Sequence, residues 1–313
     1  MAIGISYIDH YIPESKLDMY QFLENLKTDD IPASFKDKSE YMAFISNTLK
    51  LDSVRIETEK SDVDMLEHLI SKMFYAEDIE PDQIDCVIFA QEGEYVQTQN
   101  IPHYIQYRFK LNNSFVMQIS GGHCANMELA VESSRNMING NVNVNNVLII
   151  STQKVKSLKE RAVGGYAVLA DGASIALVSR DASQLHLQGA SCQTNGYFHD
   201  LKQDEDNIML HYKYTKLTLN LLMNQSNVLG DDIHTAVIQN ANPVLTSKCL
   251  TGTGVKEEKI YLENLGKYGH MTGMDFLINI KSLLENNEIP KGSNILTFGS
   301  GWAGTYISSL IKV

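Results

Sequence analysis

Phe115-Val116-Met117-Gln118-Ile119-Ser120-Gly121-Gly122-His123-Cys124-Ala125-Asn126-Met127-Glu128 is the stretch whose reading decides the fold. Residues 115–119 form an apolar run of strand length. After Cys124, apolar residues recur at Met127, Ala130, Val131 and Met137-Ile138, the spacing of one helix face. The stretch therefore predicts a strand, a glycine turn and a helix, with the Cys124 thiol at the helix start. Peptide dipoles there favour negative charge and lower a thiol's pKa. Thiolate is the nucleophilic form, so Cys124 is a candidate nucleophile. The competing reading is a buried cysteine acting as a small hydrophobe.

Outward from this turn the chain repeats itself. In the first half, a helical pattern (Val63, Leu66, Leu69-Ile70, Met73) leads to a strand at Cys86-Val87-Ile88-Phe89. The 115–119 strand, the Cys124 turn, a helix and the strand Val147-Leu148-Ile149-Ile150 follow. In the second half, Tyr214, Leu217 and Leu221-Leu222 lead to Ala236-Val237-Ile238-Gln239. Then come Ile260-Tyr261-Leu262, the turn Gly266-Lys267-Tyr268-Gly269-His270, a helix over 272–286 and the strand 294–298. The landmark pairs Cys86/Ala236, Cys124/His270 and Leu148/Leu296 are 150, 146 and 148 residues apart. This near-constant offset predicts an α/β fold of two duplicated halves, 1–180 and 181–313, related by a pseudo-two-fold axis. Cys124 and His270 then sit at equivalent strand-to-helix turns facing one cleft. The strands are apolar runs rather than alternating ones, as in sheets buried on both faces.

The 313 residues suit two ordinary domains or one duplicated fold, and 43% hydrophobic with 20% charged residues is globular composition. No apolar run approaches the roughly 18–20 residues of a membrane span. The N-terminal Met1–Ile8 stretch reads as a first strand rather than a signal peptide, so a cytoplasmic location is expected. A net charge of -12 argues against nucleic acid or an anionic membrane as partner. An anionic ligand would need a local basic patch, and the dense candidate is Lys154, Lys156, Lys159 and Arg161. The cysteines Cys86, Cys124, Cys192 and Cys249 form no C-x-x-C pair, so neither a metal nor a disulfide is expected.

Six segments in order resemble the thiolase fold and, within it, the β-ketoacyl-acyl-carrier-protein synthase III family, over essentially the whole chain. They are Tyr11-Ile12-Pro13-Glu14, Ile79–Ile88, the nucleophile turn Ile119–Met127, Leu169-Ala170-Asp171-Gly172-Ala173, Ile289-Pro290-Lys291-Gly292 and Phe298-Gly299-Ser300-Gly301. The resemblance implies that Cys124 takes an acyl group from coenzyme A or an acyl carrier protein. It also implies a phosphopantetheine thioester as substrate rather than a bound cofactor, and a dimer in which the 86–89 strand and segment 95–119 contribute. A homodimer is expected, with a heterodimer the other arrangement. The stretch Tyr95–Phe109 is expected near the acyl pocket.

The family's histidine falls at Gln239, in Gln239-Asn240-Ala241-Asn242, and its asparagine falls at His270, in Gly269-His270-Met271-Thr272. Together these two promote decarboxylation of a malonyl thioester. Gln239 can donate a hydrogen bond but cannot titrate, and losing one preorganised donor costs on the order of 3–4 kcal/mol of transition-state stabilisation. His270 restores a titratable group, giving a Cys–His dyad with an amide helper. The resemblance further implies an oxyanion hole from the Cys124 N–H and the glycine loop Gly299, Ser300 and Gly301. It places substrate contacts at Asn242, Lys154 and Arg161, although the family's own arginine position falls near Val163. His123 reads as a cleft-wall residue, His211 and His234 as structural residues without partners, and Trp302 as packing. Acyl transfer without decarboxylation is the favoured function. Decarboxylative condensation and a catalytically reduced subunit paired with an active homologue stay open.

Overall fold

The computed structural model describes residues 2–77, 79–91, 100–200, 205–286 and 289–313. Ten strands form one mixed sheet: β1 (Gly4–Tyr11), β2 (Cys86–Ala90), β3 (Phe115–Ile119), β4 (Asn146–Gln153), β5 (Gly172–Ser179), β6 (His186–Thr194), β7 (Ile233–Ile238), β8 (Ile260–Tyr261), β9 (Asn294–Gly301) and β10 (Thr305–Lys312). Their order across the sheet is β8-β7-β9-β10-β6-β1-β5-β4-β2-β3. Read outward from the middle, one side runs β1-β5-β4-β2-β3 and the other runs β6-β10-β9-β7-β8, so each strand has a counterpart five places later in the chain. The pairing directions repeat too. β2 is parallel to β3 and β4, as β7 is to β8 and β9. The two inner strands on each side are antiparallel. The two sides meet in the sheet where β1 pairs with β6 at Gly4 and His186.

The apolar runs become the most buried strands. All of β2 and β5 and all but the first residue of β4 are buried, because helices cover both faces. Helix α1 (Asp62–Ala76) starts at a capping box in which Ser61 and Asp64 satisfy each other's backbone N–H groups. It buries Met65, Leu66, Leu69, Ile70 and Met73 against β2, β4 and β5. Helix α2 (Asn126–Gly140) follows the Cys124 turn, α3 (Glu205–Ser226) packs against β6 and β10, and α4 (Asp275–Glu285) follows His270. The sheet mixes parallel with antiparallel pairs, where the sequence pattern alone suggested buried strands without fixing their direction.

One correction concerns the expected dimer edge. The strand carrying Cys86 is interior, flanked by β3 and β4, and the edge strand is β3. Residues 95–99 of the segment expected near the acyl pocket lie outside the described residues. The remainder includes a helix, Ile101–Arg108, whose Ile101 and Ile105 pack into the core beside α1 and β2.

The halves touch most closely where β9 passes the nucleophile turn. A Cβ on Gly301 would collide with the Gly122 carbonyl and approach His123 Cβ to 3.3 Å. Backbone cannot yield there as a flexible side chain can. Gly301→Ala is therefore expected to lower unfolding stability by roughly 1–3 kcal/mol or more. Gly140→Ala, at an open position at the end of α2, should leave stability unchanged or raise it by up to ~1 kcal/mol. Denaturant titration of both variants checks the contrast.

Candidate active site

Cys124 lies in a short 3-10 turn, His123–Ala125, directly before α2, and is partly exposed. The turn is under backbone strain, since Gly121 has φ +87° and His123, a non-glycine residue, has φ +46°. Asn126 secures it from both ends: its Oδ1 accepts the Gly122 N–H at 2.9 Å, and its Nδ2 donates to the Gln91 carbonyl at 2.5 Å. The matching turn of the second half repeats the strain, with Gly269 at φ +87° and Thr272 at φ +54°. By that register His270 lies near the counterpart of Gly122 rather than of Cys124. The two turns correspond, and Cys124 and His270 are offset along them.

His270 is buried, and its backbone is stitched to the first half. Its N–H donates to the Val168 carbonyl and its carbonyl accepts the Ala170 N–H, each at 2.9 Å. Its side chain spans Cys124 and an acidic residue: Nε2 is 3.4 Å from Cys124 Sγ, and Nδ1 is 2.5 Å from Asp275 Oδ2. A carboxylate can only accept, so Nδ1 carries a hydrogen and Nε2 faces the sulfur. Asp275 is wholly buried at the first turn of α4 and also accepts backbone N–H groups from Asn240 (2.8 Å) and Met271 (2.9 Å). Burial pulls the His270 pKa down. The charges of Asp275 and Cys124 and the hydrogen bonds to both outweigh it, raising the pKa to about 10. The expected dyad is thus extended by Asp275. The sequence signal for it is an acid five residues after the histidine, where a helix start ordinarily favours an acid anyway.

Gln239 does reach the nucleophile, but by its backbone. Gln239 Nε2 donates to the Cys124 carbonyl at 2.6 Å, and its Oε1 accepts the Ser300 N–H at 3.2 Å and the Tyr166 hydroxyl at 2.9 Å. The role of oxyanion helper is therefore corrected: this amide braces the turn. The glycine loop is corrected as well. Gly299, Ser300 and Gly301 are the last residues of β9, paired with Ile307, Tyr306 and Thr305, and the Ser300 N–H is already engaged by Gln239.

The three expected substrate contacts are each bonded to other parts of the protein. Arg161 is buried and pairs with Asp171 at 2.8 Å while donating to the Leu169 carbonyl, so it cannot meet a ligand at the rim. Asn242 turns inward, its Nδ2 on the Gly165 carbonyl and its Oδ1 accepting the Val244 N–H. Lys154 extends along the surface and donates to the Lys60 carbonyl at 2.7 Å, and Lys159 pairs with Asp30. The basic patch is dispersed by these partners. His211 does have partners, the Tyr306 hydroxyl at 2.6 Å and the Phe198 ring, and Trp302 packs on Tyr166. Among the described residues, no group of three or more His, Cys, Asp or Glu is placed to hold a metal ion. No helix among them is long and apolar enough to cross a membrane.

Comparison with known proteins follows the same lines. A family described as 3-oxoacyl-[acyl-carrier-protein] synthase III C-terminal matches residues 223–313. The beta-ketoacyl-[acyl-carrier-protein] synthase III of Chlorobium phaeobacteroides is 20% identical, with 98% of this chain and 99% of the relative covered. That of Streptococcus pyogenes serotype M49 is 22% identical, with 99% and 98% covered. Among solved structures, the Aquifex aeolicus 3-oxoacyl-[acyl-carrier-protein] synthase III superposes with a TM-score of 0.82 at 15% identity, covering 99% of this chain and 100% of that one. The acyltransferase ChlB3 superposes at 0.83 and 13%, covering 100% and 98%. Xanthomonas campestris OleA superposes at 0.82 and 12%, covering 100% and 99%. The chain has the thiolase-like fold of these structures and is similar to synthase III proteins over its length, with the family match confined to its C-terminal part.

One more titratable group lies under this synthase III-like site and escaped the sequence reading. Glu128, in the first turn of α2, is fully buried, with Thr297 Oγ1 donating to it at 3.4 Å. Gly299 leaves room for it, since a Cβ there would lie 2.9 Å from its Oε1. Burial pushes the Glu128 pKa up to about 8, against the weaker pull of the Thr297 hydrogen bond. The folded protein thus keeps a proton that the unfolded chain gives up at ordinary carboxylate pH. Stability must fall as pH rises from the carboxylate range through about 8. Glu128→Gln should be more stable than the parent above neutral pH, by on the order of 1–3 kcal/mol, with the gap closing in mild acid. Denaturation midpoints across pH measure it.

Proposed function

We propose that this chain is an acyltransferase that carries its acyl group as a thioester on Cys124 and hands it to a bound acceptor without decarboxylation. The observation that carries this reading is the buried relay of Cys124, His270 and Asp275. It is the arrangement that makes and remakes a thiolate during acyl exchange.

In the resting site the raised proton affinity of His270 suits it to hold the proton of the Cys124 thiol as the sulfur reacts. The thiolate attacks the thioester carbonyl of an acyl donor. A new sulfur–carbon bond forms on Cys124 and the donor's carbon–sulfur bond breaks. Acylation removes the negative sulfur that helped His270 hold its proton, so the imidazolium yields that proton to the departing thiolate. The neutral imidazole, still oriented by Asp275, then takes a proton from an acceptor hydroxyl, amine or thiol as it attacks the acyl carbonyl. Collapse returns the proton-poor sulfur to Cys124. The Cys124 N–H is read as a donor to the developing oxyanion, by analogy with the synthase III relatives.

Decarboxylative condensation draws on two donors aimed at the malonyl group, and Gln239 is committed to Cys124, Ser300 and Tyr166. That favours plain transfer. The relay also counts against a catalytically reduced subunit, which has no need of a histidine and aspartate buried opposite a reactive thiol. The donor is read as acyl-coenzyme A or an acyl carrier protein, by analogy with the synthase III relatives. Two copies would pair along β3, whose Phe115 and Gln118 are exposed at the sheet edge.

Intact-mass measurement after incubation with acyl-coenzyme A donors, malonyl among them, tests the reading. One acyl mass gain is expected, absent in Cys124→Ala. In His270→Ala and Asp275→Asn acylation should slow by about 10²–10⁴-fold. A malonyl adduct that loses carbon dioxide and condenses would replace transfer with condensation. No adduct from any donor would sink the stand-alone enzyme.

A further inference from the structure

We propose that Tyr166 is a positioning residue that holds the nucleophile turn in its reactive geometry by acting through Gln239. This rests on the reading of Cys124 as the nucleophile and adds a residue that the sequence reading passed over.

Tyr166 stands at the tip of a small hairpin whose arms are Ala162–Val163 and Ala167–Val168. The tip turns at Gly164, with φ +49°, and is fastened to the second half by Asn242. The Asn242 N–H donates to the Tyr166 carbonyl at 2.7 Å, and its side-chain amide donates to the Gly165 carbonyl at 3.0 Å. Held there, the Tyr166 ring meets His270 edge-on, with centroids 5.7 Å apart and an interplanar angle of 86°. Trp302 backs it at 6.3 Å.

The hydroxyl completes a fixed set of bonds around one amide. Gln239 Oε1 accepts from Tyr166 and from the Ser300 N–H, while Nε2 donates to the Cys124 carbonyl. A carbonyl only accepts and a backbone N–H only donates, so this amide has one orientation that satisfies its neighbours. Burial, and next the charge at Cys124, push the Tyr166 pKa well up, so its proton stays available to Gln239. The turn being braced contains His123 in the left-handed region. Such a conformation costs about 1–3 kcal/mol and persists only where its surroundings over-determine it. The Gln239 bond to Cys124 and the Asn126 bond to Gly122 are two such restraints, and without the hydroxyl Gln239 keeps only the longer of its two anchors, the Ser300 N–H. The 3.4 Å separation of sulfur and imidazole depends on both.

A packing role and a positioning role part company in Tyr166→Phe, which keeps the ring and deletes the hydroxyl. The readout is the rate of Cys124 alkylation by iodoacetamide as a function of pH, with the adduct located by peptide mass. Parent, Tyr166→Phe, Gln239→Leu and the double variant are compared. Tyr166→Phe should slow alkylation at neutral pH by about tenfold, the worth of one hydrogen bond, and move the profile to higher pH. The double variant should be no slower than Gln239→Leu alone, the signature of two residues acting in series. A parent-like profile in Tyr166→Phe, or additive losses in the double variant, would overturn the proposal. So would a parent-like profile in Gln239→Leu, which decides the matter even if Tyr166→Phe folds poorly. Alkylation needs no acyl donor, so failure of the acyl-transfer reading leaves this test standing. An acyl adduct alongside a parent-like Tyr166→Phe would sink the Tyr166 proposal alone.

Discussion

The contact on which the site depends is the one between His270 Nδ1 and Asp275 Oδ2, at 2.5 Å and shut off from solvent. An imidazole buried here without it would be driven to give up its proton. With it, the balance reverses. Placing a carboxylate this deep is costly unless its oxygens are filled. The chain fills them with backbone N–H groups from Asn240 and Met271, which any residue but proline would supply. The position at the first turn of α4 adds the favourable end of a helix dipole. The aspartate is thus held by main chain, and the reactive pair inherits that rigidity.

The duplicated architecture explains why the parts arrive from different directions. The first half contributes the nucleophile turn and the Tyr166 hairpin. The second contributes His270, Asp275 and Gln239. Their registration is fixed by crossings between the halves, among them the His270 backbone on Val168 and Ala170, Gln153 Nε2 on the Ala170 carbonyl at 2.7 Å, and Asn242 on the hairpin tip. Strain recurs at matching places, in His123 and Thr272. This is what a turn inherited twice would show. One copy now carries a sulfur and the other orients the base.

Much of this was legible in the residues. Apolar runs and helix spacing gave the strands and helices, the constant offset gave the duplication, and the glycine turn before an amphipathic helix singled out Cys124. His270 opposite the sulfur also followed from the repeat. What was not legible is where side chains spend their hydrogen bonds. Arg161 looked like a rim cation and is buried against Asp171, a partner ten residues along that only the fold brings round. Gln239 looked like a donor for substrate and is used on main chain. Asp275 resembled any acid at a helix start, and Glu128 any acid on a helix face. Tyr166 lies in a hairpin with no periodic signal. Each depends on contacts between distant segments, which neither spacing nor composition encodes.

The close passage of Gly301 along the Gly122 carbonyl has a consequence for how such a protein can change over generations. At this crossing main chain lies against main chain, so no side chain can be added at Gly301 without displacing the turn that carries Cys124. A change in what the site accepts has to come from other segments, such as the 162–168 hairpin whose Tyr166 ring meets His270 edge-on. A scaffold built this way keeps its chemistry while its clientele drifts, because the part that could ruin the first is out of reach of the changes that alter the second.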